Sequence, residues 1–257
     1  MGNQTTLNTA DQVVACLESL GDEKQAKHLM RFFKTAPGEY GYGDKFLGIK
    51  VPVTRSVVAR CKSLPLSEVS KLLDSPWHEV RLCGFLVLVA QYEQMAKFAK
   101  RNDNTAVAHC DEIVDFYLKR ARSANNWDLV DLSVYKILGR WLLLPSKYNE
   151  EEKLSVLDRL AASDNLWEQR MSIVATMEPL KVGNSSYTLR YAVMHLHHDH
   201  DLMHKAVGWL LREMGKRVDM DQLRMFLELH AHEMPRTMLR YAIEKMSEQE
   251  RKQWMQR

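Results

Sequence analysis

The sequence predicts an all-α protein, folded as a curved solenoid of stacked helical hairpins. Apolar residues recur at intervals of three and four along almost the whole chain, which is the spacing of one helix face. Alternating runs of β-branched residues are almost absent, and only 11 glycines and 7 prolines interrupt the 257 residues. Similar helical segments also recur every 35–50 residues or so, as they do in stacked helical repeats. These features exclude a sheet-based fold.

The composition sets outer limits on the protein class. With 46% hydrophobic and 27% charged residues, 257 residues can bury one continuous core, so we expect a single domain over residues 1–257. The net charge of +3 permits a polyanionic partner without requiring one. No signal peptide or long apolar run occurs, so we expect no membrane contact and a cytoplasmic location, in a bacterial-type cytosol beside the nucleoid. The cysteines form no C-x-x-C pair and are expected to be reduced and buried; they are Cys16, Cys61, Cys83 and Cys110.

In the first half of the chain, capping residues mark the helix starts. Asp22 and Ser67 are predicted caps, and Pro52 suits a first helical turn. The Ser75-Pro76 pair is predicted to begin a further helix. A loop rich in glycine and tyrosine lies at residues 37–43. The predicted helices cover residues 9–20, 22–36, 52–63, 67–73, 75–96, 105–123 and 125–144.

The second half continues as helix pairs with short connections, as expected for stacked hairpins. Asn149, followed three residues later by Glu152, predicts a capping box at the start of one helix. The predicted helices cover residues 150–162, 166–180, 186–197, 202–217, 222–231, 236–246 and 248–254.

The stretch Asn125–Asp131, Asn-Asn-Trp-Asp-Leu-Val-Asp, opens the helix that the rest of the chain is organised around. Trp127 and Asp131 are four residues apart, so on a helix they share one face. The simpler interpretation is that Trp127 fills the core while Asp131 complements the helix dipole. A functional interpretation depends on how this segment compares with its repeats.

Five segments align on the central helix. The aligned position holds Arg81, Asp131, Arg170, Lys205 and Arg240, with steps of 50, 39, 35 and 35 residues between them. Helix pairs with such spacing are typical of HEAT or armadillo-type solenoids, in which equivalent helices line one face. Basic residues at equivalent sites could hold a phosphate backbone, although a solvated stripe of charge is the alternative. The acid at position 131 breaks this basic track and opposes polyanion binding.

Glycosidic-bond chemistry offers a reason for the acid. Cleaving the bond between a base and its sugar develops positive charge on the sugar, which a nearby carboxylate stabilises. A purine alkylated at N3 or N7 is already cationic and leaves readily. Tryptophan faces attract cations, and Trp127 and Trp209 occupy corresponding helices of this chain. Trp77 and Trp167 each begin a helix at its core-facing turn and are expected to be structural.

At these residues the sequence resembles the AlkD-like DNA alkylation repair enzymes, which are HEAT-like-repeat DNA glycosylases. The matching segments are FLGIKVPVTR, NNWDLVD, ASDNLWEQR and KAVGWLLRE, in order, within about residues 26–217. The resemblance implies excision of cationic N3- and N7-alkylpurines from duplex DNA without flipping the lesion into a pocket. It implies that Asp131 is the catalytic carboxylate, with Trp127 and Trp209 as aromatic walls and Arg170 as a phosphate contact.

Two positions depart from the family pattern. Phe32 stands where active members often carry tyrosine, and Lys50 stands where they carry glutamine. Both lie in the part expected to contact DNA opposite the lesion, so they affect the expected substrate range more than the catalytic centre. The predicted DNA contacts are Lys50, Arg81, Arg170, Lys205, Arg212 and Arg240.

The histidine-rich stretch 195–200 is the one candidate metal cluster in the sequence, and its spacing does not specify a closed zinc site. We expect a solvated loop there, and no metal and no other cofactor. The prediction is therefore a monomeric, monofunctional DNA glycosylase acting on double-stranded DNA. Two other classes remain open: a family member that binds distorted or branched DNA without excising a base, and a protein-binding HEAT scaffold.

Overall fold

A computed structural model describes residues 5–256, and it confirms the all-α fold. No β-strand occurs within these residues, where one isolated bridge joins Lys45 to Trp77. None of their helices is long and apolar enough to cross a lipid bilayer. The chain divides into two compact units, residues 5–133 with 145–147 and residues 134–144 with 148–256. The expectation of one continuous solenoid domain over the whole chain stays a prediction.

The first unit contains seven α-helices within its described residues, besides a short 3-10 helix at Ala121–Ser123. Asp22 caps the second helix, as predicted, since its carboxylate accepts a hydrogen bond from the Gln25 amide. Pro52 occupies the second position of the third helix, where its missing N–H costs nothing. The helices are α1 (Ala10–Glu18), α2 (Glu23–Phe32), α3 (Val51–Cys61), α4 (Leu66–Leu73), α5 (His78–Ala99), α6 (Asn104–Lys119) and α7 (Trp127–Val134).

The second unit contains eight helices within its described residues. The capping box predicted at Asn149 and Glu152 is confirmed, with each side chain bonded to the backbone amide of the other residue. The helices are α8 (Glu150–Ala161), α9 (Leu166–Val174), α10 (Met177–Lys181), α11 (Ser186–Met194), α12 (Asp201–Arg217), α13 (Met220–His230), α14 (Arg236–Ala242) and α15 (Glu248–Gln256).

Two predicted helix starts in the first unit are wrong. Helix α4 begins one residue before Ser67, because Pro65 already holds the extended backbone of an N-cap. Helix α5 begins at His78 rather than at the Ser75-Pro76 pair. The Trp77 backbone is extended there, and the His78 amide donates to the Lys45 carbonyl at 2.8 Å.

The predicted helix over residues 125–144 is interrupted. Helix α7 ends at Val134 and is followed by a π-helical turn, Tyr135–Gly139. Asn126 is at the N-cap position, and its carbonyl accepts a hydrogen bond from the Val130 amide at 3.3 Å. Continuous apolar spacing cannot reveal a π-turn, because the extra residue changes the backbone pairing and leaves the composition unchanged.

Helix α5 is the centre of the first unit. Most of its 22 residues are buried, so no single polar face runs along it. It packs against α3, α4 and α6 and also contacts α1. A helix that is apolar on all sides is expected at the middle of a helical stack. In the second unit α12 has the same role, packed against α9, α11, α13 and α14.

The segment between α2 and α3 is held by a carboxylate from α5. The two Glu79 oxygens accept hydrogen bonds from three successive backbone amides, those of Leu47, Gly48 and Ile49, at 2.8–3.0 Å. Gly48 has φ of +89°, and a Cβ at this position would lie 2.0 Å from the Asp22 carbonyl oxygen. Only glycine therefore allows the segment to pass so close to the start of α2.

We predict that Gly48→Ala destabilises the protein by roughly 3 kcal/mol or more, because left-handed strain adds to a backbone clash. The control is Gly38→Ala, where φ is +83° but nothing lies within 4 Å of the added carbon. Strain alone should cost about 1–2 kcal/mol there. Urea unfolding of both variants measures the difference. Equal losses of unfolding free energy in the two variants would show that the close approach at Gly48 does not add to the destabilisation.

Candidate functional site

A pocket of about 440 Å³ opens in the first unit, and its surface is almost entirely apolar. The segment 46–52 and the starts of α5 and α7 form most of it, together with the end of α2. Its aromatic lining residues are Phe32, Phe33, Phe46 and Trp127. Its aliphatic ones are Leu29, Ile49, Val51, Pro52, Leu82 and Leu132, and its charged or titratable ones are Lys50, His78, Glu79, Asp128 and Asp131.

Trp127 and Asp131 both line this pocket, and both are half-buried. The prediction that they share one helix face is therefore confirmed. Helix α7 is anchored to α6 by a hydrogen bond between side chains. Its Ser133 Oγ lies 2.8 Å from the Tyr117 hydroxyl of α6. A carboxylate and a wide aromatic ring consequently face the same cavity from adjacent turns of one anchored helix.

A row of rings forms the wall beside Trp127. Its ring lies 5.2 Å from that of Phe33, which lies 5.1 Å from Phe46, which in turn lies 4.4 Å from the His78 imidazole. All three pairs are stacked, with interplanar angles between 15° and 25°. Phe32 meets Trp127 edge-on at 5.9 Å and is 55% exposed. The row gives the pocket a rigid, flat side and an exposed aromatic edge.

Behind these rings, His78 bridges two buried carboxylates. Its Nδ1 lies 2.8 Å from Asp44 Oδ2, and its Nε2 lies 2.9 Å from Asp128 Oδ2. Since both ring nitrogens face carboxylates, both carry protons and the imidazole is cationic. Burial opposes this charge, but Asp128 and Asp44 outweigh it and raise the pKa of His78 to about 9. His78 thus ties the starts of α5 and α7 to the segment before α3.

Arg81 extends the same network and corrects a sequence prediction. Instead of lining an exposed basic track it is 6% exposed. Its guanidinium donates to Asp44 Oδ1 at 2.6 Å and to Asn125 Oδ1 at 2.9 Å, and also to a backbone carbonyl. Burial would raise the pKa of Asp44, but His78 and Arg81 together lower it. Arg81 therefore supports the site from within and is not positioned to contact DNA.

Asp44, His78 and Asp128 were not among the site residues predicted from the sequence. A signal for two of them was present, because aligning the Trp77 and Trp127 segments places His78 opposite Asp128. Equivalent positions of two consecutive segments are therefore in direct contact. The pair could have been noticed as a basic and an acidic residue at one repeat position, each next to a tryptophan. Asp44 lies in a loop, and no such repeat pattern marks it in the sequence.

In the second unit, the predicted residues occupy varied environments. Trp209 is half-buried on α12, and Arg240 is exposed on α14. Lys205 pairs with Asp201 at 2.7 Å, and Arg212 pairs with Glu244. Trp167 is buried, in agreement with its expected structural role. The prediction that Trp209 acts together with Asp131 stays a prediction.

Arg170 differs from its predicted environment. It is 5% exposed, and its guanidinium donates to the Leu202 carbonyl at the start of α12. A guanidinium buried in this way links α9 to α12, so in this structure Arg170 is not an exposed phosphate contact. The repeat alignment did not determine which of the aligned positions reach solvent.

The histidine-rich stretch is only partly the solvated loop that the sequence suggested, because His197 and Asp199 are exposed. His195 is buried, and its Nε2 lies 2.9 Å from Ser172 Oγ, while His198 contacts Gln169 at 2.8 Å. Burial lowers the pKa of His195 to about 4, with a smaller contribution from His198. Within residues 5–256, no group of three or more His, Cys, Asp or Glu side chains is arranged to hold a metal ion.

The family model for DNA alkylation repair enzymes matches residues 13–246. The chain belongs to this DNA alkylation repair enzyme family. A solved structure, named as a predicted DNA alkylation repair enzyme from Enterococcus faecalis, is similar with a TM-score of 0.60. The similarity covers 89% of this chain and 97% of that one, at 13% sequence identity, and so concerns the fold. No curated protein matches the chain in sequence.

The buried His78 predicts a specific dependence of stability on pH. Its folded pKa of about 9 lies above the usual value of 6.5. The contribution of protonated His78 to the free energy of unfolding is therefore complete below pH 6.5 and is lost as the pH rises through 9. The loss should reach about 3 kcal/mol in wild type and be absent in His78→Gln. Urea unfolding across this range measures it, with His28→Gln, an exposed histidine on α2, as the control. A wild-type curve parallel to that of His78→Gln would contradict the ion-pair assignment.

Proposed function

We propose that this family member is a monofunctional DNA glycosylase that excises cationic N3- or N7-alkylpurines from duplex DNA. The observation that supports the proposal most directly is the placement of Asp131 and Trp127 on one wall of a single aromatic pocket. A half-buried carboxylate beside apolar surface interacts strongly with developing positive charge, because little water screens it. The resemblance of NNWDLVD to the family motif points to the same pair.

In the proposed mechanism, the Asp131 carboxylate faces the deoxyribose and stabilises the oxocarbenium-like charge that forms as the glycosidic bond breaks. It also orients the water that attacks the sugar. The alkylated base carries its positive charge before the reaction and leaves as a neutral species, so no strong general acid is required. The products are the free base and an abasic site.

The aromatic residues have the complementary role. The Trp127 face covers the sugar and attracts its developing charge, an interaction of about 0.5–2 kcal/mol. Trp209 is proposed as the second wall on the basis of the family resemblance. Phe32, exposed next to Trp127, presents an apolar edge without the hydroxyl that active members often carry there.

Duplex DNA is the proposed partner, and the protein acts as a monomer. Lys50 is the best-supported phosphate contact, because it is exposed and lines the pocket that contains Asp131. Lys205, Arg212 and Arg240 remain proposed contacts in the second unit. Arg81 and Arg170 are omitted because both guanidinium groups are buried.

The decisive test is Asp131→Asn, which preserves shape but removes the charge. Transition-state stabilisation should fall by roughly 2–4 kcal/mol, so single-turnover excision of N7-methylguanine slows about a hundredfold or more. Duplex affinity should stay equal or improve slightly. Asp11→Asn is the control, because it removes an exposed carboxylate from the first turn of α1 and should leave excision unchanged.

Two outcomes would count against the proposed function. Excision by Asp131→Asn at the wild-type rate would make Asp131 structural. Absence of excision by the wild-type protein, together with tight binding to distorted or branched duplexes, would favour the non-catalytic DNA-binding alternative.

A second prediction concerns the contact with the phosphate backbone. Lys50→Gln should weaken duplex binding regardless of sequence and reduce the slope of log K against log salt by about one unit. Lys62→Gln is the matched control, since Lys62 is an exposed lysine at the opposite end of α3. Binding measured by fluorescence anisotropy at several salt concentrations gives both slopes. An unchanged slope for Lys50→Gln would remove Lys50 from the contact set.

A further inference from the structure

A row of basic side chains runs along the outer side of α2. Lys24, Lys27 and Arg31 follow one another at intervals of three and four residues, so they share one face of the helix. Lys34, two residues past the end of the helix, continues the row. All four side chains are exposed, and among residues 5–256 no acidic side chain forms an ion pair with Lys24 or Arg31. We call these four residues the α2 stripe.

Three members of the α2 stripe border an open groove. The groove has a volume of about 680 Å³ and is lined by Lys27, Arg31 and Lys34 together with the acidic Glu39. Glu39 approaches Lys34 Nζ only to 3.9 Å, whereas Glu23 pairs with Lys27 at 2.8 Å. Surface pairs of this kind contribute little to stability, so a phosphate can take the place of either acid.

The stability of α2 does not explain where these charges lie. A helix N-terminus carries partial positive charge and therefore disfavours cations. Lys24 is nevertheless the second residue of α2, and Lys27 is the fifth. Packing does not explain them either, because both are exposed and Ala26 alone is buried among residues 23–32. Cations at the unfavourable end of a helix, without a packing role, indicate an anionic partner.

The α2 stripe is continuous with the rim of the aromatic pocket. The inner face of α2 lines that pocket through Leu29, Phe32 and Phe33. At about 100° per residue, exposed Phe32 and His28 lie between this inner face and the stripe. The surface from the rim to the stripe is therefore open to solvent, and a duplex whose lesion lies beside Asp131 can extend over it.

The length of the stripe suits a phosphate backbone. From Lys24 to Arg31 the helix rises about 10 Å, and each strand of duplex DNA carries about three phosphates over that distance. An acidic polypeptide would also be attracted to these cations, but it does not account for their continuity with the pocket rim.

We propose that the α2 stripe is a second contact with duplex DNA, in which its four cations bind the phosphate backbone beside the lesion. The inference rests on the proposed partner, duplex DNA, and does not depend on excision of a base. It adds a binding surface to the phosphate contacts that the sequence predicted.

Binding of duplex DNA at several salt concentrations measures the contribution of the stripe. A triple variant with Lys27→Gln, Arg31→Gln and Lys34→Gln removes the three cations of the groove. The slope of log K against log salt should fall in magnitude by about two to three units, because each phosphate contact contributes about 0.9. Fluorescence anisotropy with an undamaged duplex gives this slope without any excision.

The matched control removes the same residue types from the same unit. Lys97→Gln, Lys100→Gln and Arg101→Gln neutralise two exposed lysines and one exposed arginine at the C-terminal end of α5. His78, which lines the pocket, lies at the other end of this helix, about 30 Å away along its axis. The control should keep the wild-type salt slope, which separates a lost contact from a general loss of positive charge.

Chemical protection of lysines locates the contact in the wild-type protein. Saturating duplex should slow acetylation of Lys24, Lys27 and Lys34 by acetic anhydride about threefold or more, as read by mass spectrometry, because bound phosphates cover the amines. Lys97 should react at the same rate with and without DNA. Poly-glutamate at the same charge concentration and salt should protect the stripe lysines less than the duplex does.

The outcomes separate this inference from the proposed function. An unchanged salt slope in the folded triple variant, or equal acetylation with and without duplex, would show that the α2 stripe is a solvated face, and the proposed glycosylase function would stand. Stronger protection by poly-glutamate would overturn the duplex assignment in favour of an acidic polypeptide. If the wild-type protein excises nothing but duplex protects the stripe, the proposed function fails while the surface assignment survives. If the triple variant does not fold, as judged by its unfolding midpoint, the protection experiment decides.

Discussion

The bridge from Asp44 through His78 to Asp128 is the interaction on which the candidate site depends. It joins a loop, the start of α5 and the start of α7, three segments that are far apart in sequence. Buried charges are costly to desolvate, so such a bridge is retained only when every member has partners. Arg81 completes the set by neutralising Asp44. Removing one member would leave an uncompensated charge in the interior and weaken the attachment of the helix that carries Trp127 and Asp131.

The carboxylates of this region have two different electrostatic roles. The inner carboxylates, Asp44 and Asp128, are paired with His78 and fix the geometry. Asp131 lies one turn further along α7 at the pocket wall, where apolar surroundings strengthen its effect on any nearby cation. The aromatic row lies between His78 and Trp127 and keeps water away from the inner pairs. A buried charged network with a half-buried acid at the pocket wall suits the proposed stabilisation of transient positive charge.

Sequence patterns predicted the features that depend on local spacing. The helical class, the capping box at Asn149 and the shared face of Trp127 and Asp131 all follow from intervals of three or four residues. The errors in the predicted DNA contacts have one physical origin, because a repeat alignment does not show which of the aligned positions reach solvent. Arg81 and Arg170 were therefore expected at the surface but are buried. The contact between His78 and Asp128 requires two repeats to be packed together, which no local pattern reports.

The three amides bound by Glu79 have a consequence for how this protein could bind a polyanion. Successive backbone N–H groups of this kind form an anion-binding concavity, as in many phosphate sites. Here the concavity is already filled, because the chain supplies its own carboxylate to the amides of Leu47, Gly48 and Ile49. An incoming phosphate near this segment must therefore be held by flexible side chains such as Lys50, whose attraction salt screens readily. The Glu79 carboxylate fixes the conformation of this loop. A phosphate backbone would therefore be bound by exposed, flexible side chains and not by these backbone amides.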